Sequence, residues 1–377
     1  MGNTNLHKAK SAAVDEFYTR LEDVEAELRF YKDHFKDKTV FLNADDPRES
    51  AFFEYFALNF NALGLKKLIA IGYEGSPVVG EQLPLFDMAG MKSRGKGLSG
   101  KQSHVVEISH IPDHDGKGAT DLTDVDALLR SDIATVTPLE GDGDFRSDES
   151  IKYLQESDIV VTNPPFSLFR EYVAQLIDHD KQFLILGNMN AVTYKEVFPL
   201  IKDNRMWLGV TRLGSGQMWF RVPDEFPVKT GQTLIDGVRH QTIGSTAWFT
   251  NLENPRRNAP LRLFRRYKED PDAYPRYDNY DAIEVSRVAD IPEDYTGIMG
   301  VPITFLGKHS PHQFRILGSQ RWAKTPELLS VYIGDSIPPQ SDKKTLVNGR
   351  ETYDRIFITP VGSETYRDAN DAVEALP

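Results

Sequence analysis

The stretch DIVVTNPPFSLFREYV, residues 158–173, decides how this chain is organised. Its first half is rich in β-branched residues and predicts a buried strand, and its second half has the apolar spacing of a helix. Asn163, Pro164, Pro165 and Phe166 stand at the junction, where a short polar turn would suffice. In an open parallel sheet, ligands collect at the carboxyl ends of the strands, so this turn is a candidate site.

Strands and helices alternate around this unit. Apolar runs predict further strands at 38–45, 66–73, 134–141 and 182–188. Helices are predicted at 48–63, 147–155 and 167–178, and Gly64 is a stop signal for the first of them. The alternation predicts an α/β fold with a mostly parallel sheet and helices on both of its faces.

The pattern changes after about residue 205. The short runs MWLGV, QMWFRVP and STAWFTNL read as strands, and we expect antiparallel additions to the same sheet. Beyond residue 253, segments rich in Pro, Tyr and Arg have little periodicity and predict a second, loop-rich region. We expect a variable insertion at 74–133, because its first thirty or so residues are rich in Gly, Ser and Lys. The expected domains are therefore 1–252 and 253–377.

Composition excludes several kinds of chemistry. The chain has no cysteine, which removes disulfides, thiolate metal sites and cysteine nucleophiles. His110 and His114 have the spacing of helical metal ligands, but Pro112 lies between them, and we expect no metal site. We find no signal peptide and no membrane-length apolar run, so a cytoplasmic protein is expected. The formal net charge of -12 argues against non-specific coating of nucleic acid and requires a local basic patch for any DNA contact.

The chemistry of the turn favours a flat acceptor substrate. Two consecutive prolines carry no N–H groups, so the carbonyls of Asn163, Pro164 and Pro165 are expected to present acceptors. The Asn163 side chain adds an acceptor oxygen and Phe166 adds an aromatic face. Such a site suits an amino group on a heterocycle. The alternative is a proline turn that opens a helix, with Ser167 as its N-cap and Phe166 in the core.

The sequence resembles a known family. The segments HKAK, DEFYT, NADDPRES, GDGDFRS, SDIVVTNPPFSLFREY, YDNYDAI and GIMGVPITFL are similar to those of EcoRI-type adenine-specific DNA methyltransferases, over most of residues 5–315. The resemblance implies a class I methyltransferase (Rossmann-like) fold with a seven-stranded sheet and S-adenosylmethionine as methyl donor. It also implies N6 of adenine in double-stranded DNA as acceptor, as in restriction-modification. The base must be flipped out to reach the turn, with Phe166 as its stacking partner.

The resemblance also implies cofactor-binding residues. Phe17, Tyr18 and Thr19 of DEFYT would line the methionine end, and the polar residues after the first strand would hold the cofactor's amino and carboxylate groups. The acid after the second strand would accept from the ribose, and the GDF motif would bind the adenine through its acid and its ring. The polar residues after the first strand are Asn43, Asp45 and Asp46, and the acid after the second strand is Glu74. In the GDF motif the acid is Asp144 and the ring is Phe145, with Asp142 as the alternative acid.

The densest positive stretch lies in the C-terminal region, in NPRRNAPLRLFRRYK. It is either a solvated basic surface or a set of phosphate contacts. Its cationic residues are Arg256, Arg257, Arg262, Arg265, Arg266 and Lys268. Recognition of the DNA sequence is expected in 211–315, because the catalytic half already accounts for cofactor and target base. GAATTC is the leading candidate site, and the resemblance implies a monomer that acts alongside a restriction endonuclease.

Two other hypotheses remain open at this stage. The turn is also compatible with an amino-methyltransferase acting on cytosine N4, RNA guanine or a protein glutamine. A non-catalytic DNA-binding module with a relic fold is the third possibility, and the intact NPPF, DEFYT and GDF motifs disfavour it. A dinucleotide oxidoreductase is disfavoured because no G-x-G-x-x-G follows the first strand.

Overall fold

The computed structural model describes residues 19–45, 47, 50–72, 103–112, 135–211, 218–222, 232–235, 237–242, 246–320 and 344–362. The chain divides into a first unit, Met1–Ala191 with Gly209–Asn254, and a second unit, Val192–Leu208 with Pro255–Pro377. No helix within the described ranges is both long and apolar enough to cross a membrane.

The first unit contains five described α-helices, and the second contains one. They are α1 Leu21–Leu28, α2 Ala51–Leu58, α3 Phe60–Leu63, α4 Asp148–Glu156, α5 Phe169–Asp178 and α6 Phe198–Lys202. Short 3-10 helices are Lys32–His34, Phe166–Leu168, Met189–Thr193, Tyr267–Glu269, Pro271–Ala273, Val288–Asp290 and Ile303–Lys308.

A mixed sheet forms the centre of the first unit. The strands that the first unit contributes to this eight-stranded sheet are β1 Thr39–Leu42, β2 Lys67–Gly72, β3 His104–Ile108, β4 Thr135–Pro138, β5 Ile159–Thr162, β6 Gln182–Asn188 and β11 Thr246–Thr250, and they are neighbours in the order β4-β3-β2-β1-β5-β6-β11. The four central strands are parallel, whereas β3, β4 and β11 pair in antiparallel fashion at the two sides. This agrees with the predicted α/β class and with a class I methyltransferase fold.

Two strand predictions need correction. The expected insertion at 74–133 contains β3, which pairs with β2 along five residues, so part of it belongs to the central sheet. The run QMWFRVP forms β8 Trp219–Arg221, which is not an addition to that sheet. It pairs with β10 Val238–Thr242, which also pairs with β9 Gln232–Ile235 in a separate three-stranded sheet. The expected places of β3 and β8 were wrong for the same reason. Local periodicity predicts a strand, but it does not show which distant strand is its partner.

Aromatic packing fixes the helices of the first unit against the sheet. Ser50 caps α2 by accepting hydrogen bonds from the backbone N–H groups of Phe52 and Phe53, at 3.1 and 3.3 Å. The Phe52 ring is buried and meets the edge of the buried Trp248 ring on β11, with centroids 5.8 Å apart. Gly64 adopts the left-handed conformation, φ 62°, and ends α3 as expected.

The second unit contains a four-stranded sheet. All described strands of this unit, inside and outside that sheet, are β7 Trp207–Leu208, β12 Ile283–Glu284, β13 Met299–Pro302, β14 Phe314–Ser319, β15 Leu346–Val347, β16 Arg350–Glu351 and β17 Arg355–Pro360. Four of them are neighbours in the order β12-β13-β17-β14. The buried Arg355 guanidinium donates from Nε to both carboxylate oxygens of the buried Glu284, at 2.9 and 3.1 Å. A buried pair of this kind specifies how β12 and β17 pack, because either charge alone would be strongly destabilising.

Candidate active site

Two predicted site segments meet at one edge of the central sheet. β1 and β5 are parallel neighbours, so their carboxyl ends lie side by side. Asn43 and Asp45 follow β1 and are both buried, with 3% and 7% of their surface exposed. The NPPF turn, Asn163 to Phe166, follows β5. The tertiary structure therefore brings together the segments that sequence reasoning assigned to the methyl donor and to the target base.

Asp45 links the two segments directly. The buried Thr162, the last residue of β5, donates a hydrogen bond from Oγ1 to Asp45 Oδ2. The other carboxylate oxygen, Oδ1, accepts from Ser50 Oγ at 2.7 Å. One carboxylate thus fixes the end of β5, one residue before Asn163, relative to the N-terminus of α2.

The NPPF turn is a rigid connection of trans peptides. Pro164 is buried, whereas Asn163, Pro165 and Phe166 are half-buried. The Asn163 Oδ1 atom itself lies below the surface. Pro165 O accepts a hydrogen bond from Leu168 N at 3.0 Å, so one lone pair of this carbonyl closes the 3-10 turn. The Asn163 amide oxygen and the Pro164 carbonyl stay the predicted acceptors for the two hydrogens of the target nitrogen.

Phe166 combines features of both interpretations of the turn. Its ring packs partly against the main hydrophobic core and remains half-buried. Ser167 is exposed and lies inside the 3-10 turn. The N-cap residue of α5 is Leu168, and its side chain makes no capping hydrogen bond. The simple reading with Ser167 as N-cap is therefore wrong. The half-buried ring is compatible with stacking on one face.

The GDF segment forms a fixed loop before α4. Gly143 has φ 82°, a left-handed conformation that a side chain would strain, and it separates the two candidate acids. Asp142 is exposed and accepts from Asp144 N at 3.0 Å. Asp144 is half-buried and accepts from Arg146 Nε at 2.9 Å. Burial alone would raise the pKa of Asp144, but the hydrogen bonds and charge of Arg146 outweigh it and hold that pKa below its usual range.

Helix α5 holds this loop against the first strand. The Tyr172 ring meets the edge of the buried Phe145 ring, with centroids 5.0 Å apart. Gln175 Nε2 donates to Phe145 O at 3.0 Å. The Tyr172 hydroxyl donates to Asn43 Oδ1, and burial raises the pKa of this phenol well above its ordinary value. One helix, which begins directly after the NPPF turn, therefore contacts both predicted cofactor segments.

Sequence reasoning missed Tyr172 and Thr162. Periodicity marks the apolar stripe of a helix and a buried strand, but it gives no sign of the hydrogen bond that a hydroxyl makes there. The signal that could have found them is a hydroxyl-bearing residue within an otherwise apolar pattern, since a buried hydroxyl requires a partner.

The remaining predicted cofactor residues are Thr19, Phe17, Tyr18, Asp46 and Glu74. Thr19 is buried, and its Oγ1 has no hydrogen-bond partner among the described residues. Phe17, Tyr18, Asp46 and Glu74 lie outside the described residues.

The cationic residues of 254–268 all belong to the second unit. Arg262, Arg265, Arg266 and Lys268 are exposed, and Arg256 is half-buried. Arg265 and Arg266 form ion pairs with Asp290 and Glu293, at 3.7 and 2.6 Å.

Arg257 differs from the other arginines of this stretch. Only 5% of it is exposed, and its guanidinium lies 4.6 Å from the centre of the Trp207 ring. Its charge is therefore used in packing inside the second unit, which corrects its expected place on a phosphate-binding surface. A run of arginines in a sequence does not reveal which of them lies over an aromatic ring.

Comparison with known proteins is consistent with this geometry. Residues 5–360 match the family described as "Adenine-specific methyltransferase EcoRI". The chain is 44% identical over 358 residues to the Type II methyltransferase M.EcoRI of Escherichia coli, covering 94% of this chain and 96% of that protein. It is 36% identical over 365 residues to the Type II methyltransferase M.MgeORF184P of Mycoplasma genitalium, covering 94% and 98%. For M.MpnI of Mycoplasma pneumoniae, the identity is 38% over 316 residues, or 83% and 84%.

No solved structure matches the chain. The family match spans both units, including the NPPF turn, the Asn43–Asp45 segment and the GDF loop. The chain therefore belongs to the EcoRI family of adenine-specific methyltransferases.

Proposed function

We propose that this protein transfers a methyl group from S-adenosylmethionine to N6 of one adenine within a specific site in double-stranded DNA. The observation that carries the proposal is the hydrogen bond from Thr162 to Asp45, which joins the carboxyl ends of β1 and β5. It sets the segment assigned to the methyl donor beside the NPPF turn assigned to the acceptor. Methyl transfer requires this closeness, because the two reacting groups must meet in line.

The residues of the first unit fit such a cofactor. Asn43 and Asp45 supply buried oxygens at the end of β1, and Thr19 supplies a buried hydroxyl that has no partner among the described residues. Phe145 supplies an aromatic surface beside the acids Asp142 and Asp144. The bound cofactor supplies an electrophilic methyl group on a sulfonium. We assign the ammonium and carboxylate ends to the β1 segment and the adenine to the GDF loop.

The NPPF turn prepares the acceptor nitrogen. The lone pair of an exocyclic amine is delocalised into its ring, so the nitrogen is a poor nucleophile until its hydrogens are held out of that plane. We assign those two hydrogens to the Asn163 oxygen and the Pro164 carbonyl. These bonds strengthen as the nitrogen becomes tetrahedral, and such preorganised bonds contribute ~10²–10³ in rate. The nitrogen would attack the methyl carbon directly as the methyl–sulfur bond breaks, the neutral thioether would leave, and the nitrogen would lose one proton to water, without a covalent enzyme intermediate.

Adenine inside a duplex cannot reach a half-buried turn. The target nucleotide must therefore rotate out of the helix, and the half-buried Phe166 ring is the surface on which it stacks. Arg262, Arg265, Arg266 and Lys268 are exposed cations that can hold the phosphates. We place the protein in a restriction-modification pair as a cytoplasmic monomer, with GAATTC as the leading candidate site.

Methyl transfer from labelled cofactor tests the proposal. The protein is incubated with S-adenosylmethionine carrying a tritiated methyl group and with double-stranded DNA, RNA or a glutamine-containing peptide. We expect label only in DNA and only in N6-methyladenine after digestion to nucleosides. Sequencing the methylated adenines then gives the site. Label in N4-methylcytosine, RNA or peptide would overturn the substrate, and a motif other than GAATTC would overturn the site alone.

A further inference from the structure

The small sheet of the first unit is a ribbon formed by β8, β10 and β9. β9 and β10 pair along four residues, from Val238 opposite Ile235 to Gln241 opposite Gln232. β8 pairs only with the last three residues of β10. The sheet therefore has three strands at its base and two at its tip, where Gly237 turns the chain with φ 79°.

The base of this ribbon is anchored in the core. Phe220 on β8 is fully buried and belongs to the main hydrophobic cluster, and Met218 packs against the same cluster. Val222, the residue after β8, donates from its backbone N–H to Arg239 O at 2.9 Å and adds one hydrogen bond to β10. The position of the tip is therefore set by packing at the other end of the sheet.

The tip exposes apolar side chains. Leu234 is 69% exposed and Val238 is 38% exposed. Leu234 stands directly opposite Arg239, so the two side chains share one face of the ribbon and are close enough to touch one ligand. An exposed leucine contributes little to folding, because its surface stays in water. A contact with a partner would use the surface that the fold leaves uncovered.

The charge of the ribbon favours a polyanion. The described residues of its three strands include Arg221, Arg239 and His240 and no acid, in a chain whose formal net charge is -12. In the sequence, Asp236 is the one acid between residues 232 and 242. A two-stranded ribbon also has the width that the major groove of B-DNA admits. Shape and charge therefore point to the same partner.

We propose that the β9–β10 ribbon enters the major groove and that Leu234 reads the site by packing against the C5-methyl group of a thymine. This inference rests on the proposed function, and it names the element and one residue responsible for specificity. Arg239, on the same face, is the neighbouring polar contact. Thymine is the base that an apolar side chain distinguishes in this groove, since its methyl group is the apolar mark that the other three bases lack.

A double substitution, one in the protein and one in the DNA, tests the contact. The methylated site is mapped first, and each thymine in it is then replaced in turn by deoxyuridine, which removes only the methyl group. We expect one such replacement to weaken binding by the unaltered protein about three- to tenfold. Leu234→Ala should weaken binding to the natural site by a similar factor. The affinity of this variant should be the same for the thymine and the deoxyuridine site, because the variant no longer contacts the methyl group. Affinity for unrelated DNA should not change.

Val136→Ala is the matched control. Val136 lies on β4 of the same unit and is 39% exposed, so this truncation removes part of an exposed apolar side chain away from the ribbon. It should leave affinity and thymine discrimination unchanged.

If Leu234→Ala still discriminates thymine from uracil as the unaltered protein does, the inference is wrong while the proposed function stands. A change of oligomeric state with Leu234→Ala would instead assign the tip to a second copy of the chain. An unaltered protein that methylates no DNA would overturn both.

Discussion

The Asn163 amide oxygen and the Pro164 carbonyl are the groups on which the proposed chemistry depends. Asn163 is half-buried, and the residue before it is fixed by the bond between Thr162 and Asp45. An acceptor held in this way costs no reorganisation when the nitrogen changes geometry. The Asn163 side chain is therefore the sharpest single test of the turn.

We expect Asn163→Ala to reduce methyl transfer by ~10²–10³ or more, because one of two acceptors for the target nitrogen is removed. Cofactor affinity, measured by calorimetry, should stay nearly intact, since Asn163 is assigned to the acceptor and not to the donor. Cofactor affinity that falls in step with activity would contradict that assignment.

Phe166→Ala should weaken retention of the flipped base. The ring is half-buried, so truncation removes an exposed stacking face together with part of its packing on the core. 2-Aminopurine at the target position reports the extruded base by its fluorescence. Phe166→Trp serves as the control that keeps an aromatic face. Equal fluorescence with and without the Phe166 ring would remove the stacking role.

At the scale of elements, α5 connects the turn to the cofactor segments. Tyr172 bonds to Asn43 and packs on Phe145, and Gln175 holds the backbone of Phe145. We therefore expect cofactor binding to depend on a helix that touches neither the methyl group nor the target base. Tyr172 is a positioning residue in this scheme.

Tyr172→Phe should weaken cofactor binding and lower the free energy of unfolding by about 1–3 kcal/mol, because Asn43 loses a buried hydrogen-bond donor. Tyr153→Phe is the matched control, since Tyr153 lies half-buried on α4 and has a ring contact with Phe41 but no described hydrogen bond at its hydroxyl. Cofactor titration and urea unfolding measure the two effects. Equal behaviour of the two variants would show that the Tyr172 hydroxyl is not used for positioning.

At the scale of the whole molecule, we propose that the basic stretch of the second unit holds the DNA. Arg265 and Arg266 are each more than half exposed, and their pairs with Asp290 and Glu293 are surface ion pairs. Such pairs are worth little in water, so phosphates can replace the carboxylates. The stretch can therefore act as a solvated basic surface or as a set of phosphate contacts, and one measurement distinguishes the two.

Arg265→Ala combined with Arg266→Ala should weaken binding to all DNA sequences and reduce the slope of affinity against salt by about one per lost phosphate contact. Arg287→Ala is the control, because Arg287 is 73% exposed and pairs with the same Asp290 but lies outside the stretch. A slope unchanged in the double variant would assign Arg265 and Arg266 to a solvated surface.

The pH dependence of stability should come partly from His309 in the second unit. Burial lowers the pKa of His309 to about 4, with the charge of Arg257 acting in the same direction. As the pH falls, His309 therefore takes up a proton in the unfolded state before it does so in the folded state, and the free energy of unfolding decreases by about 3 kcal/mol between pH 6.5 and about 4. His309→Gln should flatten this dependence in urea unfolding, and His312→Gln, at an exposed position, should not. An identical fall in both variants would contradict the role of His309.

The sequence alone predicted the parts of this protein that depend on local pattern. Strands β1, β2, β5 and β6 and helix α5 follow from apolar periodicity, and Gly64 marked a helix end. The NPPF turn was found because a strand before it and a helix after it give its position in a parallel sheet. These features involve neighbours along the chain, so their physical causes lie within a short stretch of residues.

The tertiary structure decided everything that depends on distant partners. It placed β3 inside the central sheet, separated β8 from it, buried Arg257 and gave Thr162 and Tyr172 their polar partners. Asp45 and Thr162 are 117 positions apart, and their hydrogen bond exists only because β1 and β5 pair in this register. Pairing and burial are set by the free energy of the whole folded unit, which a local pattern of residues does not encode.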